Sequence, residues 1–173
     1  MRIVSGRWRG RTIVPPADPR VRPTADKVRE AWMSILQRDL PDARVLDLFA
    51  GSGALGLEAL SRGAAIVDFV ECSPRSLAAI RSNAAALGAG EAAVVHRADA
   101  LRFIERLEPR AYDLAFADPP YDLGLATRVA ERWLAVPFAD VLGIEHRNDE
   151  VLPGQGERRR YGGTVITLYG IER

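Results

Sequence analysis

The chain has 173 residues, of which 47% are apolar and 27% charged, and its formal net charge is +1. This length and composition suit one globular domain that buries its own core, and they exclude disordered and collagen-like chains. The single cysteine, Cys72, excludes an internal disulfide and fits a reducing compartment. No window approaches the roughly 18 apolar residues that span a bilayer, and the N-terminus lacks a signal-peptide pattern. We therefore expect a cytoplasmic protein without a membrane segment.

The basic side chains are concentrated at the N-terminus. Residues 1–30 contain eight basic and three acidic side chains, whereas the rest of the chain carries a small excess of acidic ones. This asymmetry predicts a basic docking surface beside a more acidic body.

The same N-terminal segment predicts a hairpin, a connector and a helix. Arg2–Ser5 and Thr12–Pro15 bracket two glycines, a pattern typical of a β-hairpin. A proline-rich connector follows as far as Pro23. The next apolar residues recur at the spacing of one helix face, which predicts a single buried stripe. Its members are Val28, Ala31, Trp32, Ile35 and Leu36.

From about residue 44 to residue 145, apolar segments of strand length alternate with alanine-rich helical segments. The predicted strands are Arg44–Leu48, Ile66–Glu71, Ala92–His96, Tyr112–Ala117 and Val141–Glu145. The predicted helices are Leu55–Arg62, Pro74–Leu87, Ala100–Leu107 and Leu123–Val136. Continuous apolar strands are typical of parallel sheets with helices on both faces, so the pattern predicts a doubly wound α/β sheet.

The C-terminal segment breaks this alternation. Arg158–Tyr161 and Thr164–Tyr169 flank two consecutive glycines, which is a signal for a two-residue hairpin. The predicted fold is thus a doubly wound, mostly parallel, Rossmann-like sheet with an antiparallel C-terminal strand pair. An N-terminal β-hairpin plus helix extends it. We expect two parts, a hairpin-and-connector extension of residues 1–24 and a sheet domain of residues 25–173.

A glycine-rich loop follows the first strand of the predicted sheet. Gly51-Ser-Gly-Ala-Leu-Gly56 stands between a strand and a helix, where glycine permits a sharp turn and a close approach to a ligand. The loop matches the dinucleotide fingerprint GxGxxG, and Glu71 ends the next strand, about where a ribose-binding acid belongs. The motif alone favours neither NAD nor S-adenosylmethionine. A tight turn without a ligand is the structural alternative.

Asp47, near the end of the first strand, helps to decide between NAD and S-adenosylmethionine as the ligand. A carboxylate at this point would repel a pyrophosphate, whereas it would attract the amine and the sulfonium of S-adenosylmethionine. Asp47 therefore favours S-adenosylmethionine. A carboxylate that caps the helix or braces the loop is the alternative interpretation.

The tetrapeptide Asp118-Pro-Pro-Tyr121 follows the fourth predicted strand. Pro119 and Pro120 cannot continue a central strand, so the chain leaves the sheet here in a stiff turn. An exocyclic base amine is a poor nucleophile. The Asp118 carboxylate and the Pro119 carbonyl would hold its two N–H bonds, and Tyr121 would stack on a flipped base. A rigid proline turn with one core aromatic is the alternative.

Together these motifs resemble class I amino-methyltransferases. Two further segments, Ile3-Val-Ser-Gly-Arg-Trp-Arg-Gly-Arg11 and Arg22-Pro-Thr-Ala-Asp-Lys-Val-Arg-Glu30, narrow the resemblance. With Ala54-Leu-Gly-Leu-Glu-Ala-Leu-Ser-Arg-Gly63, and with Arg160-Tyr-Gly-Gly-Thr164 near the C-terminus, the chain closely resembles the RsmD family of bacterial 16S rRNA (guanine-N2)-methyltransferases. The resemblance runs nearly from end to end and implies a class I methyltransferase domain over residues 25–173.

The resemblance also implies roles for individual residues. The expected cofactor-binding residues are Arg22, Thr24, Asp47, Phe49, Gly51, Ser52, Gly53, Glu71, Cys72, Asp99, Ala100 and Asp118. Among these, Glu71 would hold the ribose and Asp99 would lie near the adenine, unless Asp99 only caps the next helix. Cys72 is expected as a small buried residue near the adenine. The segment that contains Arg22 and Thr24 would close over the methionine end.

The implied partner is 16S rRNA in the small ribosomal subunit. The N-terminal hairpin would dock onto it, with Arg7, Arg9 and Arg11 as phosphate contacts, although plain solvated positions remain the alternative. Tyr121 stands where the family also has phenylalanine, which leaves stacking possible. His96 and His146 show no metal-ligand or triad spacing, so no metal is expected. We expect a monomer.

Three hypotheses follow. The first is transfer of a methyl group from S-adenosyl-L-methionine to the N2 amine of an rRNA guanine, which yields S-adenosyl-L-homocysteine. The second keeps the chemistry but changes the acceptor to adenine N6 in a nucleic acid or to a protein glutamine, whose enzymes more often have asparagine in place of Asp118. The third is a non-catalytic ribosome-assembly factor that binds RNA. The acidic residues Asp47, Glu71, Asp99 and Asp118 argue against it, because a scaffold has no need of buried acids.

Overall fold

The computed structural model describes residues 1–18 and 26–170. Within these ranges the helices are α1 (Asp26–Ile35), α2 (Ala54–Ser61), α3 (Pro74–Leu87), α4 (Ala100–Glu105) and α5 (Leu125–Ala135). The strands are β1 (Arg44–Leu48), β2 (Ile66–Glu71), β3 (Ala93–Arg97), β4 (Tyr112–Ala117), β5 (Ala139–Arg147), β6 (Glu157–Tyr161) and β7 (Thr164–Tyr169). None of the helices in the described part of the chain has the length and apolarity that a membrane span requires.

One sheet of seven strands organises the molecule, in the order β3-β2-β1-β4-β5-β7-β6. The strands β1 to β5 are parallel, and β7 runs antiparallel to both of its neighbours. The predicted doubly wound sheet with an antiparallel C-terminal pair is therefore confirmed. The strand order reverses between β1 and β4, and open α/β sheets bind ligands beyond the carboxyl ends of the strands at such a point.

Helices cover both faces of the sheet and form two cores. Because side chains alternate along a strand, Val45 and Leu46 of β1 point into different cores. The helices α1, α2 and α3 close the first core, and α4 and α5 close the second. We call the carboxyl ends of the parallel strands the carboxyl edge of the sheet, and the opposite ends the amino edge. In each βα unit the helix starts at the carboxyl edge and runs back to the amino edge.

The N-terminal hairpin is present in a reduced form. A single bridge pairs Arg2 with Thr12, and the Ile3 amide donates to the Arg11 carbonyl at 2.9 Å. The pairing stops there because the next two amides, of Val4 and Ser5, donate instead to a side chain of α2. Three apolar side chains of the segment are buried in the same core as α1 to α3: Ile3, Trp8 and Ile13.

The buried face of α1 differs from the predicted stripe. Arg29 and Met33 are fully buried, whereas Ala31 and Ile35 are only half-buried. Trp32 fixes the rotation of the helix, because its ring packs against Gly143 of β5, where a Cβ atom would lie 2.5 Å from Nε1. The buried Arg29 guanidinium lies 3.2 Å from the carboxylate of Asp26, which is itself exposed.

Candidate active site

The two motifs of the sequence meet at the carboxyl edge of the sheet. Leu48, the last residue of β1, pairs with Ala117, the last residue of β4. The glycine loop and the Asp118–Tyr121 corner therefore leave the sheet side by side. Arg22 and Thr24, predicted to close over the cofactor, lie outside the described residues.

The backbone of the glycine loop is tightly wound. Phe49 has a φ of 56°, and Gly51 and Gly53 follow with φ of 57° and 83°. A left-handed conformation at a residue other than glycine costs on the order of 1–3 kcal/mol and occurs most often at functional sites. Gly56 serves a different purpose, because a Cβ atom there would lie 2.3 Å from Cε1 of Phe69. Its lack of a side chain lets α2 pack directly on β2.

Asp47 lies beneath this loop with 1% of its surface exposed. Its Oδ2 accepts a hydrogen bond from the Gly56 amide at 2.9 Å, so it braces the start of α2 as the alternative interpretation expected. Burial raises the pKa of Asp47 well above its ordinary value, the Gly56 hydrogen bond opposes this, and the nearby Asp118 and Glu71 carboxylates raise it further. Asp47, Asp118 and Glu71 are therefore close enough to interact electrostatically at the carboxyl edge.

Glu71 connects the end of β2 to the glycine loop. Its Oε1 accepts from the Gly51 amide at 3.1 Å, and its Oε2 accepts from the Cys72 and Ser73 amides at 2.7 and 2.9 Å. An ionised carboxylate has about four acceptor positions. The backbone uses three of them, which leaves one for a hydroxyl group of a ligand.

Asp99 and Cys72 lie at the neighbouring strand ends. Asp99 caps α4 by accepting from the Arg102 amide at 3.0 Å, and Ala100 behind it is buried. The expectation that Cys72 is buried is wrong, because the residue is exposed. It follows the last residue of β2, where the chain has left the sheet and α3 has not yet begun. Packing around the sulfur, with the Glu71 and Asp99 carboxylates, raises the pKa of the thiol above its ordinary value.

The proline corner presents a half-buried Asp118, a buried Pro119, an exposed Pro120 and a half-buried Tyr121. Directly after it, Asp122 has a φ of 66°, so each motif has a left-handed residue other than glycine beside it, Phe49 before the glycine loop and Asp122 after the corner.

Two residues that the sequence analysis did not single out hold the Tyr121 ring. Its hydroxyl donates to Oε1 of Glu145 on β5 at 3.3 Å and lies 3.4 Å from Oγ1 of Thr164 on β7. In the sequence, Glu145 could have been noticed as an acidic residue at the end of an otherwise apolar strand. Glu145 is only 6% exposed.

The three predicted rRNA-contacting arginines, Arg7, Arg9 and Arg11, are all exposed. The Arg7 amide donates to the carbonyl of Ser61, the last residue of α2, and the Arg11 guanidinium donates to the Ala86 carbonyl near the end of α3. Both helices end at the amino edge. The hairpin arginines therefore lie at the edge opposite the proline corner.

Comparisons with known proteins match nearly the whole chain. A family model described as Conserved hypothetical protein 95 matches residues 1–169. Ribosomal RNA small subunit methyltransferase D of Escherichia coli (strain K12) is 43% identical over 125 residues, which span 72% of this chain and 62% of that protein, less than two thirds of its length. The putative rRNA methyltransferase YlbH of Bacillus subtilis (strain 168) is 39% identical over 98% of both chains.

Two solved structures also superpose on nearly the whole chain. A hypothetical protein of Thermus thermophilus superposes with a TM-score of 0.85 at 32% identity over 99% of both chains. The putative methyltransferase yhhF from Escherichia coli gives a TM-score of 0.82 at 33% identity over 97% of this chain and 96% of that one. The chain therefore belongs to the RsmD family, which the matching model describes as Conserved hypothetical protein 95.

Proposed function

We propose that the protein transfers a methyl group from S-adenosyl-L-methionine to the exocyclic N2 amine of a guanine in 16S rRNA, with S-adenosyl-L-homocysteine as the second product. The observation that carries this proposal is the meeting of Asp47, Glu71 and Asp118 at the carboxyl edge, beside the proline corner. The relatives named above as rRNA methyltransferases support the same reaction class and the same kind of substrate.

The residues at the ends of β1, β2 and β3 fit this cofactor. Burial first, and then the Asp118 and Glu71 carboxylates, raise the pKa of Asp47. A cationic ligand would stabilise the ionised form of Asp47, whereas a pyrophosphate would add further repulsion. When bound, S-adenosyl-L-methionine supplies an electrophilic methyl group on a sulfonium. The loop residues Phe49, Gly51, Ser52 and Gly53 would enclose its methionine part with Asp47.

The remaining cofactor contacts would come from the next strands. Glu71 retains one acceptor position, which a ribose hydroxyl would use. Asp99, Cys72 and Ala100 would line the adenine. Arg22 and Thr24 would complete the methionine end. The proposed chemistry uses no metal.

The proline corner would orient the substrate amine. The Asp118 carboxylate and the Pro119 carbonyl would each accept one N–H bond, which directs the nitrogen lone pair and stabilises positive charge as it develops. Tyr121 would stack on the flipped base, worth about 1–3 kcal/mol per base. Hydrogen bonds to Glu145 and Thr164 fix its ring before the base arrives, so stacking costs little side-chain entropy.

We further propose that the substrate partner is the small ribosomal subunit and that the protein acts in the cytoplasm as a monomer. The hairpin of residues 1–24, with Arg7, Arg9 and Arg11, would contact rRNA away from the reacting base. The domain of residues 25–173 would carry the chemistry.

Methylation of small subunits tests the proposal. Purified protein, labelled S-adenosyl-L-methionine and subunits from a strain that lacks the enzyme should give N2-methylguanine on nucleoside analysis. Label on adenine or on a protein glutamine would assign the acceptor of the second hypothesis, and no label would favour the non-catalytic factor.

The role of Asp118 is tested separately. Asp118→Ala should abolish turnover while binding of the cofactor largely survives, because the carboxylate is assigned to the substrate amine. The control is Asp122→Asn, which removes an exposed charge from the same loop but keeps a residue type that tolerates the left-handed backbone there, and it should leave turnover near that of the wild type. An equal loss of turnover and of cofactor affinity in Asp118→Ala would contradict the assignment.

A further inference from the structure

A buried acid on β5, Glu145, lies next to the proline corner. In the register of the sheet, Ala117 of β4 pairs with Ile144 of β5. The residues that follow these two partners are Asp118 and Glu145, so the acids leave neighbouring strands at the same level of the carboxyl edge. Backbones of neighbouring strands are about 4.8 Å apart. Glu145 is therefore close to the place assigned to the substrate amine.

Glu145 also lies on the face of the sheet that carries Asp47. Ile144 packs in the second core, so alternation along β5 turns the next side chain, Glu145, toward the other face. Leu48 of β1 packs in the second core as well, which turns the preceding side chain, Asp47, toward the same face as Glu145. The acid of the methyl donor site and the acid of β5 are thus on one side of the sheet.

The Glu145 carboxylate is in contact with Tyr121 and largely shielded from water. The residue is 6% exposed, and its Oε1 accepts the Tyr121 hydroxyl at 3.3 Å. An ionised carboxylate has about four acceptor positions and no donor, so one hydroxyl does not exhaust it. Where water is scarce, a hydrogen bond to a charge is strong and a lone pair that faces the charge is costly. Such a group distinguishes a ligand edge with a donor from one with an acceptor.

The nucleobases differ in the atom that stands next to their amine. Three bases have an exocyclic amine, and only guanine has a ring N–H, at N1, beside the carbon that carries it. Adenine has a lone pair at the corresponding N1, and cytosine has one at N3. Enzymes that flip a base read it by hydrogen bonds to this edge. An acceptor beside the amine position therefore favours guanine and disfavours adenine and cytosine.

We propose that Glu145 accepts the N1–H of the target guanine and determines the specificity for this base. The inference rests on the proposed function and deepens it, because it names the residue that selects the base. Asp118 and Pro119 hold the amine, the Tyr121 ring stacks on the base, and Glu145 takes the adjacent ring N–H. The other possible role of Glu145 is only to orient the Tyr121 ring, and the experiment must separate the two roles.

A double-mutant cycle separates them. Glu145→Gln keeps the size of the side chain and an oxygen for the Tyr121 hydroxyl but removes the charge. Tyr121→Phe removes the hydroxyl but keeps the ring and the Glu145 carboxylate. Both single variants and the double variant are assayed for methylation of small subunits, cofactor affinity and Tm. The control is Glu131→Gln, which removes an exposed acid from α5.

Glu145→Gln should lower kcat/KM for small subunits about tenfold or more, because a neutral hydrogen bond replaces one to a charged group. The same factor should appear when the change is made in Tyr121→Phe, since the contact with guanine does not pass through the hydroxyl. Tyr121→Phe itself should lose only a few-fold, through a less fixed ring. Cofactor affinity should stay unchanged in Glu145→Gln, and Glu131→Gln should match the wild type.

A second measurement changes the base instead of the protein. 2-Aminopurine keeps the amine at C2 but has a lone pair at N1. A synthetic RNA segment carries it into 16S rRNA, by ligation, at the guanine that the wild type methylates, and subunits are reconstituted. The wild type should prefer guanine at least about 100-fold. In Glu145→Gln this preference should shrink about tenfold or more, because the amide nitrogen can donate to the lone pair.

Two results would overturn the inference alone. One is a Glu145→Gln change that has no effect in Tyr121→Phe, which would leave Glu145 as a support for the ring. The other is a wild type that methylates guanine and 2-aminopurine equally, a result that needs no variant to fold. Failure of the proposed function is distinct, since the wild type would then give no N2-methylguanine at all. Label on adenine would overturn both, because adenine has no N1–H.

Discussion

At the scale of single residues, Asp47 serves both the loop and its expected ligand. One oxygen accepts the Gly56 amide that starts α2, and the whole group is buried near two other carboxylates. Burial favours the neutral acid, while a cationic ligand favours the carboxylate. The residue therefore costs stability in the free protein and contributes affinity in the complex.

Asp47→Asn should separate these two effects. The amide keeps an oxygen for Gly56 but removes the charge, so Tm of the ligand-free protein at neutral pH should rise by a few degrees, given that about 1 kcal/mol moves Tm by 2–4 °C in a chain of this size. Affinity for S-adenosylmethionine should fall, as measured by calorimetry. Asp42→Asn, in an exposed turn at the amino edge, is the control and should change neither quantity. A lower Tm with full affinity would contradict the role of Asp47.

The position of Cys72 gives a second prediction. The thiol is exposed, yet packing and two carboxylates raise its pKa above the ordinary 9.0. Since only the thiolate reacts, alkylation by iodoacetamide near pH 8 should be slower than in the unfolded chain, and its rate should still increase above pH 9. Glu71→Gln removes one of the charges and should accelerate the reaction, followed by mass spectrometry. Equal rates in folded and unfolded protein would show that the carboxylates do not act on the sulfur.

The sequence predicted which acids end strands but not their contacts. Asp47 and Glu71 stand directly at apolar strands, so their place followed from the period of the pattern. Cys72 was misplaced because its residue type suggested burial, whereas exposure depends on where the covering helix begins. Glu145 was missed since its partner, Tyr121, approaches from another strand.

At the scale of elements, one side chain of α2 secures the N-terminal segment. Glu58 is fully buried and accepts the Val4 amide at 3.0 Å and the Ser5 amide at 3.1 Å. Its third partner is Arg62, one helical turn later, at 3.0 Å. Because the segment carries buried apolar side chains, this carboxylate also helps to seal the core.

Glu58→Gln should therefore destabilise the protein. The amide nitrogen would face backbone N–H groups, and Arg62 would lose its counter-charge, so urea unfolding should show a loss of about 3–5 kcal/mol. Glu108→Gln, on the exposed surface, is the control and should stay within about 0.5 kcal/mol of the wild type. If Glu58→Gln changed the free energy of unfolding as little as Glu108→Gln does, water would have to replace the contacts of the Glu58 carboxylate.

Strand positions were predictable at this scale because buried parallel strands are continuous apolar runs. The face of α1 was not, since its rotation depends on partners distant in sequence. The burial of Arg29 is tolerated because its guanidinium forms an ion pair with Asp26 and donates a hydrogen bond to the carbonyl of Arg2. No local pattern shows that the N-terminal segment folds back onto the helix.

At the scale of the whole molecule, the antiparallel end of the sheet includes a buried histidine. Nδ1 of His146 lies 2.9 Å from the Arg147 carbonyl, and Nε2 lies 2.7 Å from Oγ1 of Thr167 on β7. Burial lowers the pKa of His146 below its ordinary 6.5. The unfolded chain therefore takes up a proton at a higher pH than the folded one.

The free energy of unfolding should consequently decrease as the pH falls below 6.5. Above that pH the contribution of the neutral imidazole is fully present, and it is lost progressively towards the lower pKa of the folded state. Urea titrations of the wild type and of His146→Gln between pH 7.5 and 5 isolate this contribution as a difference. A difference that stays constant with pH would exclude His146 as its source.

The open edge at β6 also governs how copies of the protein meet. An uncovered edge strand offers its free N–H and C=O groups to any other extended chain, and charged side chains are a common protection against such pairing. Each β6 strand carries three exposed arginines, Arg158, Arg159 and Arg160, so two of these strands aligned edge to edge would bring six guanidinium groups together. In about 1 M salt the Debye length is only about 3 Å, so this repulsion disappears. A concentrated salt wash that strips nucleic acid from the protein would at the same time remove its safeguard against aggregation.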